Sequence, residues 1–350
     1  MSLNNADVKA ALLYGPSLLR VEDVNLPSIS DDEVLVKVAA IGVCPSDVRT
    51  FRGTYKSRIF EYGLDSYGIS GHEWSGEVVK VGSKIKHISP GDRIVPEIII
   101  PCGVCKMCRC GATNLCIAKK PVLRGYAEYA VAKGFFCYKV PENVSLREAA
   151  LTEPVAVSIR ASLQTRCRPG DAVLVVGAGP MGLLNIIVAK VFGFRVLVSE
   201  VKKERLKYAS DLADRIINAG EEDVVEAVKS ETDGLGADGV IVATGARQAI
   251  ETAVKCARPG ASVVLFASTY PKEDISIDPN LIHYGEINLT GSFDHLPSDM
   301  VRALNFMNTR KIDVMKIVTK FFPLHQLEEA FLYWELGKGL KPMIVMDEQV

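Results

Sequence analysis

Five apolar residues, 172–176, run directly into Gly177-Ala178-Gly179-Pro180-Met181-Gly182, and an apolar stretch of helical periodicity follows over 180–192. A short, wholly apolar run bounded by glycine suits a strand buried on both faces. Each glycine in the turn has its own reason to be there. Gly177 permits the tight bend, Gly179 lets a phosphate approach the backbone, and Gly182 allows the helix to pack close to the strand. The start of that helix offers unpaired N–H groups and a positive dipole end to an anion. The next apolar run, 195–199, ends in Glu200, the position from which a carboxylate accepts hydrogen bonds from ribose hydroxyls. A glycine turn alone is common in α/β proteins. A strand before it, a helix after it and an acid closing the second strand together predict a dinucleotide site. Its residues are Gly177, Gly179, Met181, Gly182, Glu200 and, on the following helix, Arg205. The Glu200 carboxylate repels a 2′-phosphate and so favours NAD over NADP, a preference softened by the nearby cations Lys202, Lys203 and Arg205.

Around this unit the apolar runs continue to alternate with helical stretches: a helix over 202–213, then strands at 239–243, 262–267 and 287–291. Such alternation predicts an α/β fold, a doubly wound parallel sheet covered by helices on both faces. The first 152 residues read differently. Alternating strands at 32–38 and 74–81, and turns such as Ser89-Pro90-Gly91-Asp92, indicate a β-rich domain with ligand-bearing loops. The tail holds an amphipathic stretch, 324–336, and a last strand, 341–345. The expected organisation is a first domain over 1–152, a nucleotide-binding domain over 153–291, and a segment over 292–350 that returns to the first domain.

A net charge of −1 gives no electrostatic basis for binding nucleic acid or an anionic membrane surface. The longest apolar stretch, 173–198, is broken by Gly177, Gly179, Pro180 and Gly182 and carries Lys190 and Arg195, so it does not read as a membrane span. The N-terminal sequence lacks the basic-then-apolar pattern of a signal peptide, and nine cysteines without one suit a reducing cytoplasm.

Four of those cysteines stand as Cys102-x2-Cys105-x2-Cys108-x7-Cys116, with Cys110 inside the run. Four thiolates about 2.3 Å from one ion form a closed tetrahedral zinc site that shapes a loop and leaves no position open for chemistry. Disulfides are disfavoured at such short spacing, and a CxxC redox pair leaves two of the four unexplained. A zinc lobe over about residues 96–118 is the reading adopted. Elsewhere, Cys44 stands before Pro45-Ser46-Asp47, and His72-Glu73 follow Gly71. Cysteine, histidine and carboxylate on separate loops are suitable ligands for a catalytic zinc that keeps one position open. Taken singly, each also reads as a small buried thiol or ordinary surface polarity.

As a set and in this order, Gly42-Val43-Cys44-Pro45-Ser46-Asp47, Gly71-His72-Glu73, the 102–116 run, Thr152-Glu153-Pro154 and the Gly177–Gly182 turn resemble the zinc-dependent medium-chain alcohol dehydrogenase family over essentially the whole chain. The resemblance implies a GroES-like catalytic domain joined to a Rossmann domain. It implies two zinc ions per chain: a structural one on Cys102, Cys105, Cys108 and Cys116, and a catalytic one on Cys44 and His72. Glu73 is then a ligand or an exchanging neighbour. Glu153 stands where liver-type enzymes have a second cysteine, as in the polyol (sorbitol-type) and threonine dehydrogenase branch, at the metal or against substrate. Ser46 takes the position whose hydroxyl bonds the substrate oxygen. Arg49 replaces the histidine that commonly completes the proton relay, and a guanidinium cannot relay by titrating.

The implied activity is hydride transfer between a secondary alcohol or its ketone and NAD, the alcohol being a polyol, sugar alcohol or cyclitol. L-Threonine or another amino alcohol is the alternative substrate, and a non-catalytic nucleotide-binding relative is the alternative class. A homodimer or homotetramer formed through the edge strand at 287–291 is also implied.

Overall fold

The computed structural model describes residues 7–54, 61–122 and 124–346. Its chain divides into two compact units, one of residues 1–153 with 304–350, the other of residues 154–303. The tail that joins the first unit begins within the helix Pro297–Asn308, so residues 292–303 belong to the second.

The first unit is built on a seven-stranded sheet. Its central strand, Glu33–Gly42, pairs antiparallel with Glu73–Val81 on one side and Lys341–Val345 on the other, while Tyr129–Lys133 pairs with its first half. Arg93–Pro96 and Cys137–Lys139 extend the sheet beyond Glu73–Val81, and Val318–Pro323 runs parallel to Lys341–Val345 at the other edge. The register sets Gly42 opposite Glu73 on one neighbour and opposite Met343 on the other. Residues far apart in sequence therefore meet at the end of three adjacent strands.

The helix Leu327–Glu335 covers this sheet with Leu327, Ala330 and Phe331. Phe331 packs on Phe51 and edge-on against Tyr126, with ring centroids 5.4 and 5.7 Å apart. Trp74, Tyr126 and Phe51 are among the largest fully buried side chains, and rings of this size dominate the burial that holds a β-rich unit together.

The second unit has six parallel strands in the order Arg215–Asn218, Arg195–Glu200, Ala172–Val176, Ala237–Val242, Ala257–Leu265 and Asn288–Gly291. Every residue of Ala172–Val176 is buried, as expected of a strand with helices on both faces. The chain winds outward in one direction from this strand and then in the other, so the strand order reverses beside it, which is where ligands bind in open α/β sheets. Asn288–Gly291 and Arg215–Asn218 are the two edge strands.

Candidate active site

Cys44 lies two residues past the central strand and caps the short helix Pro45–Phe51. Glu73 opens the strand Glu73–Val81, with His72 just before it. The register that pairs Gly42 with Glu73 brings one potential ligand atom from each of Cys44, His72 and Glu73 within 4.8 Å of one another.

The orientation of His72 decides which nitrogen faces that space. Its Nδ1 lies 2.7 Å from the Ser70 carbonyl oxygen and 3.1 Å from Asp47 Oδ1. The Ser70 carbonyl accepts from Nδ1 and the Asp47 carboxylate lies beside it, so the proton sits there and the Nε2 lone pair is left for a metal, the arrangement usual for ligating histidines. The other Asp47 oxygen accepts from the Cys44 backbone N–H at 3.0 Å and the Tyr126 hydroxyl at 2.7 Å. Burial disfavours the imidazolium, but the Asp47 carboxylate and Cys44 outweigh it and hold the His72 pKa well above its ordinary value. A metal at this site competes with that proton.

Glu73 does not stand alone. Lys341, at the start of the last strand and 1% exposed, places Nζ 2.8 Å from one Glu73 carboxylate oxygen and 2.6 Å from the other. It also reaches the Val43 carbonyl at 3.2 Å. Burial lowers the Lys341 pKa, yet Glu73, Cys44 and, more weakly, Glu153 raise it on balance, so the ammonium is retained. Gly42 makes room for the pair, since a Cβ there would lie 2.2 Å from Glu73 Oε2 and 3.1 Å from Lys341 Cε. Glu153 is half-buried in the first turn of the helix Thr152–Gln164 and is not one of the three converging residues. Ser46 is half-buried in the first turn of the helix that Cys44 caps.

The four cysteines of the 102–116 run also converge, with Cys105 Sγ 3.5 Å from Cys108 Sγ and 3.9 Å from Cys116 Sγ. All four are free thiols, and tetrahedral coordination at about 2.3 Å sets sulfurs about 3.8 Å apart. The donor chemistry and spacing thus fit zinc in both clusters.

In the second unit, Gly177 has φ +100°, a conformation that glycine adopts freely. A Cβ on Gly182 would lie 2.0 Å from the Gly177 carbonyl, which accounts for close helix packing. A Cβ on Gly179 would meet only Arg205 Nη1, at 3.7 Å, so the backbone there is open to an approaching group. Gly179 caps the helix Pro180–Val191 without a side-chain hydrogen bond, leaving N–H groups for an anion. Met181 lies in the first turn of that helix. Glu200 links the two strand ends. One of its oxygens accepts from the Ala178 N–H at 2.9 Å, and the other accepts from Val201 and Lys202, each also at 2.9 Å. Arg205 lies 3.8 Å from the same carboxylate.

Sequence reasoning assigned no role to Asp47, Tyr126 or Lys341. Asp47 closes the motif Cys44-Pro45-Ser46-Asp47 and Lys341 is the one charge in the otherwise apolar run Lys341-Pro342-Met343-Ile344-Val345, whereas Tyr126 carries no local signal.

Residues 30–142 match the alcohol dehydrogenase GroES-like domain family, and residues 180–309 match the zinc-binding dehydrogenase family. D-xylulose reductase A of Aspergillus oryzae is 34% identical over 345 residues, covering 95% of each chain. Sorbitol dehydrogenase of Bacillus subtilis is 31% identical over 331 residues, covering 93% of this chain and 92% of the relative. A solved structure from Sinorhizobium meliloti 1021, described as a zinc-binding dehydrogenase bound to NADP, superposes with a TM-score of 0.90 at 26% identity, covering 97% of this chain and 99% of the other. The motifs around Cys44 and His72, the cysteine lobe, the glycine turn and these full-length relatives agree, and the chain belongs to the zinc-dependent medium-chain alcohol dehydrogenase family.

Proposed function

We propose that this alcohol oxidoreductase acts on a secondary hydroxyl of a polyol, sugar alcohol or cyclitol, with NAD preferred over NADP. The observation that carries the reading is the convergence of Cys44, His72 and Glu73, three donors that leave room for a substrate oxygen. The relatives named for sorbitol and D-xylulose support the polyol class. Glu73 and Glu153 make the surroundings richer in oxygen donors than a two-cysteine site, which suits a hydroxylated substrate. A zinc ion held there supplies Lewis acidity that makes a substrate hydroxyl easier to deprotonate, and the nicotinamide accepts the hydride.

The residues of the chain do the rest. Cys44 and His72 hold the metal, Glu73 and Glu153 are the carboxylates available to it, and Ser46 offers a hydroxyl to the substrate oxygen. Gly177, Gly179, Met181 and Gly182 cradle the pyrophosphate, while Glu200 receives the ribose hydroxyls beside Arg205. Cys102, Cys105, Cys108 and Cys116 hold a second, structural zinc. The NAD preference is supported by the buried Glu200 carboxylate at the end of the second strand of the nucleotide unit, since a carboxylate at that position repels a 2′-phosphate. The edge strand Asn288–Gly291 is the surface assigned to self-association, as a homodimer or homotetramer. Among the described residues no helix is long and apolar enough to cross a membrane, and free cysteines throughout suit a cytoplasmic setting.

A screen of NAD reduction over polyols, cyclitols, simple secondary alcohols and L-threonine tests the assignment. Turnover concentrated on polyols or cyclitols supports it, and turnover confined to threonine replaces it with the amino-alcohol reading.

A further inference from the structure

Tyr126 is fully buried, yet it carries a hydroxyl where a phenylalanine would fill the same space. A buried hydroxyl costs free energy unless it is hydrogen-bonded. Here the bond is to Asp47 Oδ2 at 2.7 Å; the Gly42 carbonyl, at 3.4 Å, is a weaker second acceptor. Asp47 is itself 1% exposed, and it touches both residues assigned above to the metal. Its Oδ2 accepts from the Cys44 backbone N–H, and its Oδ1 lies 3.1 Å from His72 Nδ1.

The backbone of Tyr126 is fixed on the same side. Its N–H donates to the Gly68 carbonyl at 3.0 Å, and Gly125 N–H donates to the Gly71 carbonyl at 2.9 Å. A Cβ on Gly71 would lie 2.8 Å from Tyr126 N. The segment Gly125-Tyr126 therefore buttresses the turn that delivers His72, while the phenol holds the carboxylate that orients the imidazole. The edge-on contact with Phe331, 5.7 Å between centroids, fixes the ring from the far side.

We infer that Tyr126 is a positioning residue for the metal site, acting through Asp47 to fix His72 and the Cys44 backbone. Without the hydroxyl, Oδ2 keeps only the Cys44 N–H, and the carboxylate is free to rotate away from His72 Nδ1. Partners one step behind metal ligands commonly alter metal affinity by 10–100-fold; a residue one step further back is expected to alter it by about three- to tenfold. The inference rests on the reading of Cys44 and His72 as metal ligands.

Tyr126→Phe in the full-length protein tests it, with zinc affinity measured by chelator competition and the site's geometry read from the absorption spectrum after cobalt substitution. The expected result is about three- to tenfold easier loss of one metal per chain and a shifted cobalt d–d band. The metal of the cysteine lobe should be held as before. In an Asp47→Asn background the same substitution should weaken binding no further, because the two residues act as one unit. An unchanged affinity and cobalt spectrum in Tyr126→Phe overturns the role of Tyr126. So does a loss of equal size in the Asp47→Asn background. A wild-type chain that binds metal only at the cysteine lobe overturns the metal-site reading itself, and this inference with it.

Discussion

Lys341 and Glu73 form an ion pair with 2% and 1% of their side chains exposed, joining the first and last parts of the sequence across the central strand. Removing one member of a buried pair leaves an uncompensated charge and costs about 3–5 kcal/mol, whereas replacing both with apolar groups is often close to neutral. Lys341→Met is therefore expected to lower unfolding stability by that amount, and Lys341→Met with Glu73→Leu to recover much of it. Denaturant unfolding of the three proteins checks this; equal destabilisation by the single and double variants would show that the pair is not the source. Gly42→Ala should resemble the single variant, since its methyl group would displace the Glu73 carboxylate.

The cysteine lobe makes a separate prediction. Without metal, backbone N–H groups from Cys108 and Ile117 pull the Cys105 thiol down to about 6, whereas burial and neighbouring sulfurs push Cys108 up to about 12. Cys105 is then far more nucleophilic than Cys108 at neutral pH. Thiol labelling followed by mass spectrometry should modify Cys105 only after chelation, and Cys105→Ser should lose one zinc and unfold at lower denaturant. Rapid labelling of Cys105 in the zinc-loaded protein, or unimpaired stability of Cys105→Ser, would contradict the structural role.

Glu148 ties the returning tail to the first unit. It accepts from the Ser145 N–H at 2.8 Å, the Ser145 hydroxyl at 2.7 Å and Arg310 at 2.5 Å. Burial raises its pKa, but the Ser145 bonds and Arg310 more than offset this and hold it below 4.5. A depressed carboxylate contributes stability above its unfolded pKa and loses it as pH falls through the folded value. Glu148→Gln should cost about 1 kcal/mol near pH 7 after solvent screening is allowed for. The gap should close as pH drops below the ordinary carboxylate range. Thermal unfolding across pH 3–8 measures it, and a gap that is constant with pH would refute the assignment.

Local chemistry made much of this legible. The glycine turn, the buried strand at 172–176 and the acid at 200 each have a physical reason visible in a short stretch, and the structure gives the glycines the conformations and close approaches those reasons require. The strand Arg215–Asn218 escaped notice because it is short, lies at an edge and is only partly buried. The helix expected over 202–213 is shorter, Lys203–Ala209. The pairings of Asp47 with Tyr126 and of Glu73 with Lys341 span 79 and 268 residues. No local pattern encodes such contacts; the tertiary arrangement of distant segments creates them.

Glu200→Ser should shift cofactor choice. Removing the carboxylate ends its repulsion of a 2′-phosphate and frees the Arg205 guanidinium, so use of NADP relative to NAD should rise by at least about tenfold. Steady-state kinetics with both cofactors provides the check, and an unchanged ratio would mean that Glu200 does not contact the ribose.

The central claim is that Cys44 and His72 hold a zinc on which polyol oxidation depends, separate from the zinc of the cysteine lobe. Metal analysis of Cys44→Ser, paired with NAD-dependent oxidation of the best polyol substrate, tests it most directly. The account predicts about two zinc ions per wild-type chain and one in the variant, by the closed and open site types. Activity should fall to background while NAD binding and the lobe's zinc are retained. Full activity in Cys44→Ser, or a wild-type chain holding only the zinc of the cysteine lobe, would contradict it.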